Sequence, residues 1–216
     1  MEDTKPLPDL SAEEQRVLGS LIEKSRTTPD YYPMTLNSLT AACNQKSSRN
    51  PVVNYDEETV TLTLNSLKIK GLISTATGGS SRATKYKHNL AIAYPLLPSE
   101  LAIICLLLLR GPLTPGEINS NSGRLYEFES IEEVLAQLQK LADDEPSFVK
   151  QLGKKAGQKE ARFVHLLGEQ AEEPETEQTA QQVTISQPNE ELENRIAKLE
   201  QEVEELKELI NLLMDK

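Results

Sequence analysis

Lys85-Tyr86-Lys87-His88-Asn89-Leu90 and Arg162-Phe163-Val164-His165-Leu166-Leu167 share one pattern: basic, aromatic, any residue, histidine, any residue, leucine. Each reads as the last strand of a hairpin. Before the first lie a strand, Ile73 to Ala76, and the turn Gly78-Gly79-Ser80-Ser81; the closing strand spans Thr84 to Leu90. Before the second lie Phe148 to Leu152 and the Gly/Lys turn Gly153-Lys154-Lys155-Ala156-Gly157; the closing strand spans Ala161 to Leu166. Gly and Ser between short β-prone runs are the signal of a hairpin turn.

Upstream of each hairpin the pattern changes to helical spacing. Ser11-Ala12-Glu13-Glu14 is a capping box, and Val17, Leu18, Leu21 and Ile22 then form one apolar stripe to about Lys24. Thr35 is placed to cap a second helix with Leu36, Leu39 and Cys43 on its core face, and Asp56 a third that ends before Gly71. In the second half Ser99 opens a helix through Leu101 to Leu109 that is apolar nearly all round, which predicts a buried central helix. Thr114-Pro115-Gly116 opens a short helix, and Ser130-Ile131-Glu132-Glu133 one that runs to about Asp143.

Both halves thus read helix, helix, helix, strand, wing, strand. That is the order of a winged helix-turn-helix, and it occurs twice. The predicted fold is mainly α with small β-wings (α+β). Residues 1–10 form a loose N-terminus, 11–97 and 98–168 two tandem winged-helix domains, 169–188 a flexible acidic linker, and 189–216 a coiled-coil helix.

A family resemblance rests on Glu23-Lys24, Thr27-Thr28-Pro29-Asp30-Tyr31-Tyr32-Pro33, Leu36-Asn37-Ser38-Leu39 and the run from Ala42 to Val52. In the second half, Arg110 to Glu117 and Arg124-Leu125-Tyr126-Glu127-Phe128 contribute. Over about residues 8–168 the chain resembles the YceH family of uncharacterised bacterial proteins. The resemblance implies a tandem winged-helix fold and carries no activity across.

The formal charge of −11 is unevenly spread. Residues 1–97 hold 11 basic and 10 acidic side chains, residues 98–168 hold 8 and 10, and residues 169–216 hold 4 and 14. The acidity therefore belongs to the tail, and the near-neutral core is judged separately for nucleic-acid binding. Residues 169–188 lack aromatics and have few large aliphatics, which leaves too little apolar surface to fold alone. After Pro188, Leu192, Ile196, Leu199, Val203, Leu206, Ile210 and Leu213 alternate in steps of four and three. β-branched residues at a and Leu at d favour a parallel two-stranded coil, hence a homodimer. The flanking charges agree, with Arg195 opposite Glu200 and Glu202 opposite Lys207. The other reading of this helix is one that docks on its own core.

Double-stranded DNA is one expected partner. The wings offer Arg82, Lys85 and Lys87 in the first half and Lys154, Lys155, Lys159 and Arg162 in the second. The polar run Asn44 to Asn50 adds Lys46 and Arg49 on an unusually long connection. The third helices argue against ordinary base reading. Leu62 and Ile69 fall opposite the stripe of Val60, Leu64 and Leu67, and Asp56, Glu57 and Glu58 crowd the first turn. In the second half the far face holds Glu132, Gln139, Lys140 and Asp143. Leu62 and Ile69 instead mark an interdomain or partner face.

Catalytic signatures are missing. No GxxxxGKS, GxSxG or HExxH occurs, and Cys43 and Cys105 fall on apolar stripes. No enzyme activity, cofactor or metal is expected. With no signal peptide and no apolar run longer than Leu101 to Leu109, a cytoplasmic protein without membrane association is expected. Two functions fit. One is a dimeric DNA-associated protein or transcriptional regulator using the wings and the 44–50 loop, with the acidic tail competing against phosphate. The other is a protein-interaction scaffold without direct DNA binding, by fold-level analogy with acidic tandem winged-helix condensation proteins.

Overall fold

In the computed structural model the chain divides into two units, Met1–Glu172 and Glu173–Lys216. The structure describes residues 5–76, 83–154 and 160–168, all in the first unit. The expected acidic linker and the heptad from Leu192 to Leu213 lie outside the described residues.

Helix α1, Ala12–Thr27, starts where its capping box predicts. The Ser11 hydroxyl accepts the Glu14 N–H, and the Glu14 carboxylate accepts the Ser11 N–H at 2.9 Å. Met34–Thr35 form the short strand β1, and Thr35 caps α2, Leu36–Cys43. Asp56 accepts the Thr59 N–H at 2.8 Å and opens α3, Glu57–Ile69. Gly71, at φ +74, takes the left-handed backbone that turns the chain into β2, Ile73–Ala76. Strand β3, Lys85–His88, pairs antiparallel with both, in the order β1-β3-β2. It is shorter than expected, because Leu90 begins a four-residue helix α4, Leu90–Ala93, that local sequence did not signal.

The second half follows the same plan. It contains α5 (Pro98–Arg110), α6 (Pro115–Ser122), α7 (Ile131–Asp143), β4 (Val149–Gln151) and β5 (Phe163–His165). Thr114 and Glu117 form a full capping box at α6. At Ser130 the box is only half made: its hydroxyl accepts the Glu133 N–H, while the Glu133 carboxylate takes the Glu129 N–H at 2.8 Å.

Hydrogen bonds align the halves residue by residue. Ile73 faces His88 in one hairpin and Val149 faces His165 in the other. Leu72 accepts the Asn89 N–H and donates to Leu67; Phe148 accepts the Leu166 N–H and donates to Leu141. Met34 pairs with Tyr86 as Leu113 bridges Phe163. It follows that Val60, Leu64 and Leu67 on α3 match Val134, Leu138 and Leu141 on α7, and all six are buried. The result is mixed helix and small antiparallel sheets, an α+β architecture.

One hydrophobic cluster runs through both halves. Every residue from Leu101 to Leu109 is buried, as an all-round apolar helix must be. Helix α5 lies against α1 at Gly19, where a Cβ would come 2.9 Å from the Leu109 side chain. Glycine there permits the close approach, and the Cys105 thiol reaches the Gly19 carbonyl at 3.5 Å. The N-terminus corrects an expectation. Residues 5–10 are held rather than loose: Leu10 is buried and donates to the Leu167 carbonyl at 3.0 Å, and Tyr94 donates to the Pro6 carbonyl at 2.7 Å. Apolar Leu7 and Leu10 find a groove that no local pattern announces.

Candidate interaction surfaces

The polar connection between α2 and α3 was a candidate phosphate-binding loop. Its geometry is that of a structural latch. Asn44 closes the loop across its base, donating to the Tyr55 carbonyl at 2.7 Å and accepting the Tyr55 N–H at 2.8 Å. Asn50 donates to Leu109 at 2.9 Å, and Arg110 donates to the Ser48 hydroxyl at 2.9 Å. The loop thereby ties the first half to the end of α5.

Arg49 is the centre of this latch, which corrects its assignment as a DNA contact. It is 6% exposed. Its guanidinium grips Glu23 with two bonds of 2.7 and 3.0 Å and donates to the Ala42 carbonyl at 3.0 Å and the Gln45 amide at 3.1 Å. Burial alone would raise the Glu23 carboxyl; the paired Arg49 outweighs it and holds Glu23 below its ordinary value. Its Nε lacks a partner but is buried, so the guanidinium is turned inward and away from any phosphate. Lys46, by contrast, is exposed and makes no ion pair among the described residues.

The cations of the two hairpins divide in the same manner. Lys85 and Lys87 sit two apart on β3 and so share one sheet face, while Tyr86 packs on the core from the other. Neither lysine is paired among the described residues, and Lys154, which follows β4, is likewise exposed and unpaired among them. Arg162 is different. It forks onto Glu117 at 2.9 and 3.0 Å and caps the Pro112 carbonyl at 2.7 Å, which removes it from the free cations. Arg82, Lys155 and Lys159 lie outside the described residues.

Leu62 is 65% exposed and Ile69 88% exposed. Seven residues apart on α3, they lie on one outer face two turns from each other. On that face the two apolar side chains alternate with polar ones, Glu58, Thr59, Asn65 and Ser66. Beside Leu62, between α3 and the first turn of α1, is a recess of about 400 Å³ whose polar floor is Glu14, Ser66 and Lys70. Lys70 pairs with Glu14 at 2.6 Å, and Ser66 donates to the same carboxylate at 2.7 Å. Burial pushes the Glu14 carboxyl up, but Lys70, Ser66 and the Ser11 N–H together bring it below the ordinary range. Glu57 and Glu58 remain exposed at the helix start.

The family can now be placed. The family model described as "Protein of unknown function, DUF480" matches residues 10–158. A UPF0502 protein of Shewanella loihica is 44% identical over 212 residues, covering 96% of this chain and 99% of the relative. One from Shewanella piezotolerans is 46% identical over 216 residues, covering 96% and 99%. One from Opitutus terrae is 49% identical over 165 residues, 76% of this chain and 72% of its own. The chain belongs to the DUF480 (UPF0502) family. This is the family whose motifs residues 23–52 and 110–128 resemble. Much of the signature is now explained as fold chemistry, since Glu23, Asn44 and Arg49 are occupied in bonds within the first half and Glu117 in bonds within the second.

The sulfur and imidazole groups behave as core. Burial raises the Cys43 thiol to about 11 and pushes Cys105 up as well, so neither is a ready thiolate. His88 and His165 are lowered to about 4, chiefly by burial, with Arg26 adding repulsion at His88. Among the described residues no cluster of three or more His, Cys, Asp or Glu side chains is placed to hold a metal, and no helix is long and apolar enough to cross a membrane. Sequence reading missed one surface: Ile131 and Leu135, each 43% exposed, on the outer face of α7. Their spacing of four was legible, but the fold's requirement for only the Val134 stripe was not.

Proposed function

We propose that this chain is a non-enzymatic, cytoplasmic tandem winged-helix protein that acts as a protein-interaction module and is dimerised by a coiled coil in residues 189–216. The observation that carries this reading is the exposure of Leu62 and Ile69 on the helix that would otherwise enter a DNA groove. Two large apolar side chains on one outer helix face offer anchors for a protein partner where a groove reader would carry polar groups. The acidic first turn of α3 would repel phosphate, and the loss of Arg49 and Arg162 to internal ion pairs thins the basic surface. The winged-helix assignment is supported by the repeated element order and the matched hairpin registers. The dimer is supported by the heptad chemistry alone.

A second reading, a DNA-associated regulator, is favoured by one observation. Lys85 and Lys87 are unpaired on a common face of β3, where a wing can meet a phosphate backbone. One set of proteins separates the two. The full chain, a Leu62→Asp/Ile69→Asp variant and a Lys85→Ala/Lys87→Ala variant are each titrated with random duplex DNA across a salt series and used for affinity capture from a bacterial lysate. The interaction reading expects no salt-dependent DNA binding and a captured protein lost only from the Leu62/Ile69 variant. DNA affinity that falls steeply with salt and is lost from the lysine variant overturns it.

A further inference from the structure

The two third helices provide an internal comparison. The hydrogen-bond alignment places Ile131, Leu135 and Gln139 of α7 where α3 has Glu57, Thr61 and Asn65. The first half is polar along this line, and the second has become apolar at two of three positions without any demand from the shared core stripe. The substitution coincides with a cavity. Between α7, the start of α6 and the β4–β5 hairpin lies a recess of about 600 Å³. Ile131, Leu135 and Ala136 form one wall; Pro115, Ala161 and Phe163 form the other. Gln139, Gln151, Lys154 and Glu160 stand among these apolar groups. A volume in this range, apolar with a few polar groups, is that of a small-molecule site.

We propose that this recess binds a small amphipathic organic acid, an apolar ring or chain carrying one anionic group. The apolar walls take the body. The Lys154 ammonium, without an ion pair among the described residues, meets the acid. The lining also holds one carboxylate, Glu160, at the side of the recess toward α6: an oxygen lies 3.8 Å from where a Cβ on Gly116 would be, in the first turn of α6. There the helix end favours its charge. Gln139 donates to Asp143 at 2.9 and 3.0 Å, which leaves its carbonyl as an acceptor only. The occupant is therefore selected for negative charge by Lys154 and for apolar surface by Leu135 and Ile131. This site is separate from the α3 face, and its failure leaves the proposed protein-interaction role standing.

The test uses anilinonaphthalene sulfonate, an apolar aromatic with one anionic group, and phenylnaphthylamine, the same body without the charge. Fluorescence titrations are run on the full chain, Leu135→Asp, Lys154→Gln and Leu62→Asp/Ile69→Asp, each checked for an unchanged urea midpoint. The sulfonate should bind one per chain, weaken about tenfold with Leu135→Asp and about threefold with Lys154→Gln, and be unaffected by the α3 variant. The neutral probe should bind more weakly than the sulfonate. Absence of sulfonate binding overturns the proposal. So does binding lost from the Leu62/Ile69 variant instead, or binding indifferent to both Lys154→Gln and removal of the sulfonate.

Discussion

Replacing Arg49 with alanine separates a latch from a DNA contact. The substitution removes both bonds to Glu23 and those to Ala42, Gln45 and Ser48. It leaves the Glu23 carboxylate, whose side chain is only 14% exposed, without its main counter-charge. Breaking a buried ion pair from one side costs about 3–5 kcal/mol. For a core of this size the urea dependence is about 2–3 kcal/mol per molar, so the unfolding midpoint should fall by about 1–2 M. Lys46→Ala, three residues away on the same loop but exposed, should stay within about 0.5 kcal/mol of the parent. Substituting both Arg49 and Glu23 with leucine should recover part of the loss, because no buried charge is then left alone. Equilibrium urea unfolding of the full-length variants, followed by circular dichroism, measures all three. If Arg49→Ala and Lys46→Ala cost the same small amount, the latch reasoning is refuted.

Acid should destabilise the core in two stages. His88 and His165 titrate near 4 in the folded chain against 6.5 ordinarily, so the unfolded state binds more protons between those values and stability falls as pH drops from 6.5 toward 4. For His165 this is about 2 kcal/mol at pH 5. Glu14 and Glu23, lowered from 4.5 by their ion pairs, lose their contribution further down. Urea midpoints that are flat from pH 7 to 4.5 would contradict this. Gly19→Ala should lower stability by about 1–3 kcal/mol through the clash with Leu109, read as a drop in Tm; an unchanged Tm would mean α1 and α5 are not in close contact. Gly168, at φ +137, would drive a Cβ to 2.2 Å from the Leu10 carbonyl oxygen. Gly168→Ala should therefore release the N-terminal strap, seen as faster hydrogen exchange at the Leu10 amide, and unchanged exchange would refute the contact.

The helices and their starting points were legible in the sequence because they follow from local chemistry. Ser11, Thr35, Asp56, Thr114 and Ser130 each cap the helix they precede, since a short polar side chain satisfies amides that the helix itself leaves free. The buried status of α5 followed from its all-round apolar surface, and the hairpin repeat from its shared basic-aromatic-histidine pattern. The fate of the charged side chains did not follow. Arg49 and Lys46 look alike in a polar run, yet one is buried against Glu23 and the other faces solvent. Arg162 and Lys154 differ in the same way, because Glu117 approaches only one of them. Whether a cation is free for a partner depends on which carboxylate the fold brings to it from 26 or 45 residues away. Similarly, the periodicity of α3 shows that Leu62 and Ile69 lie off the core stripe, but only the packing of the second half against α1 and not α3's outer face leaves them exposed. Local pattern determines what each segment becomes; long-range packing determines which of its side chains are left to meet anything else.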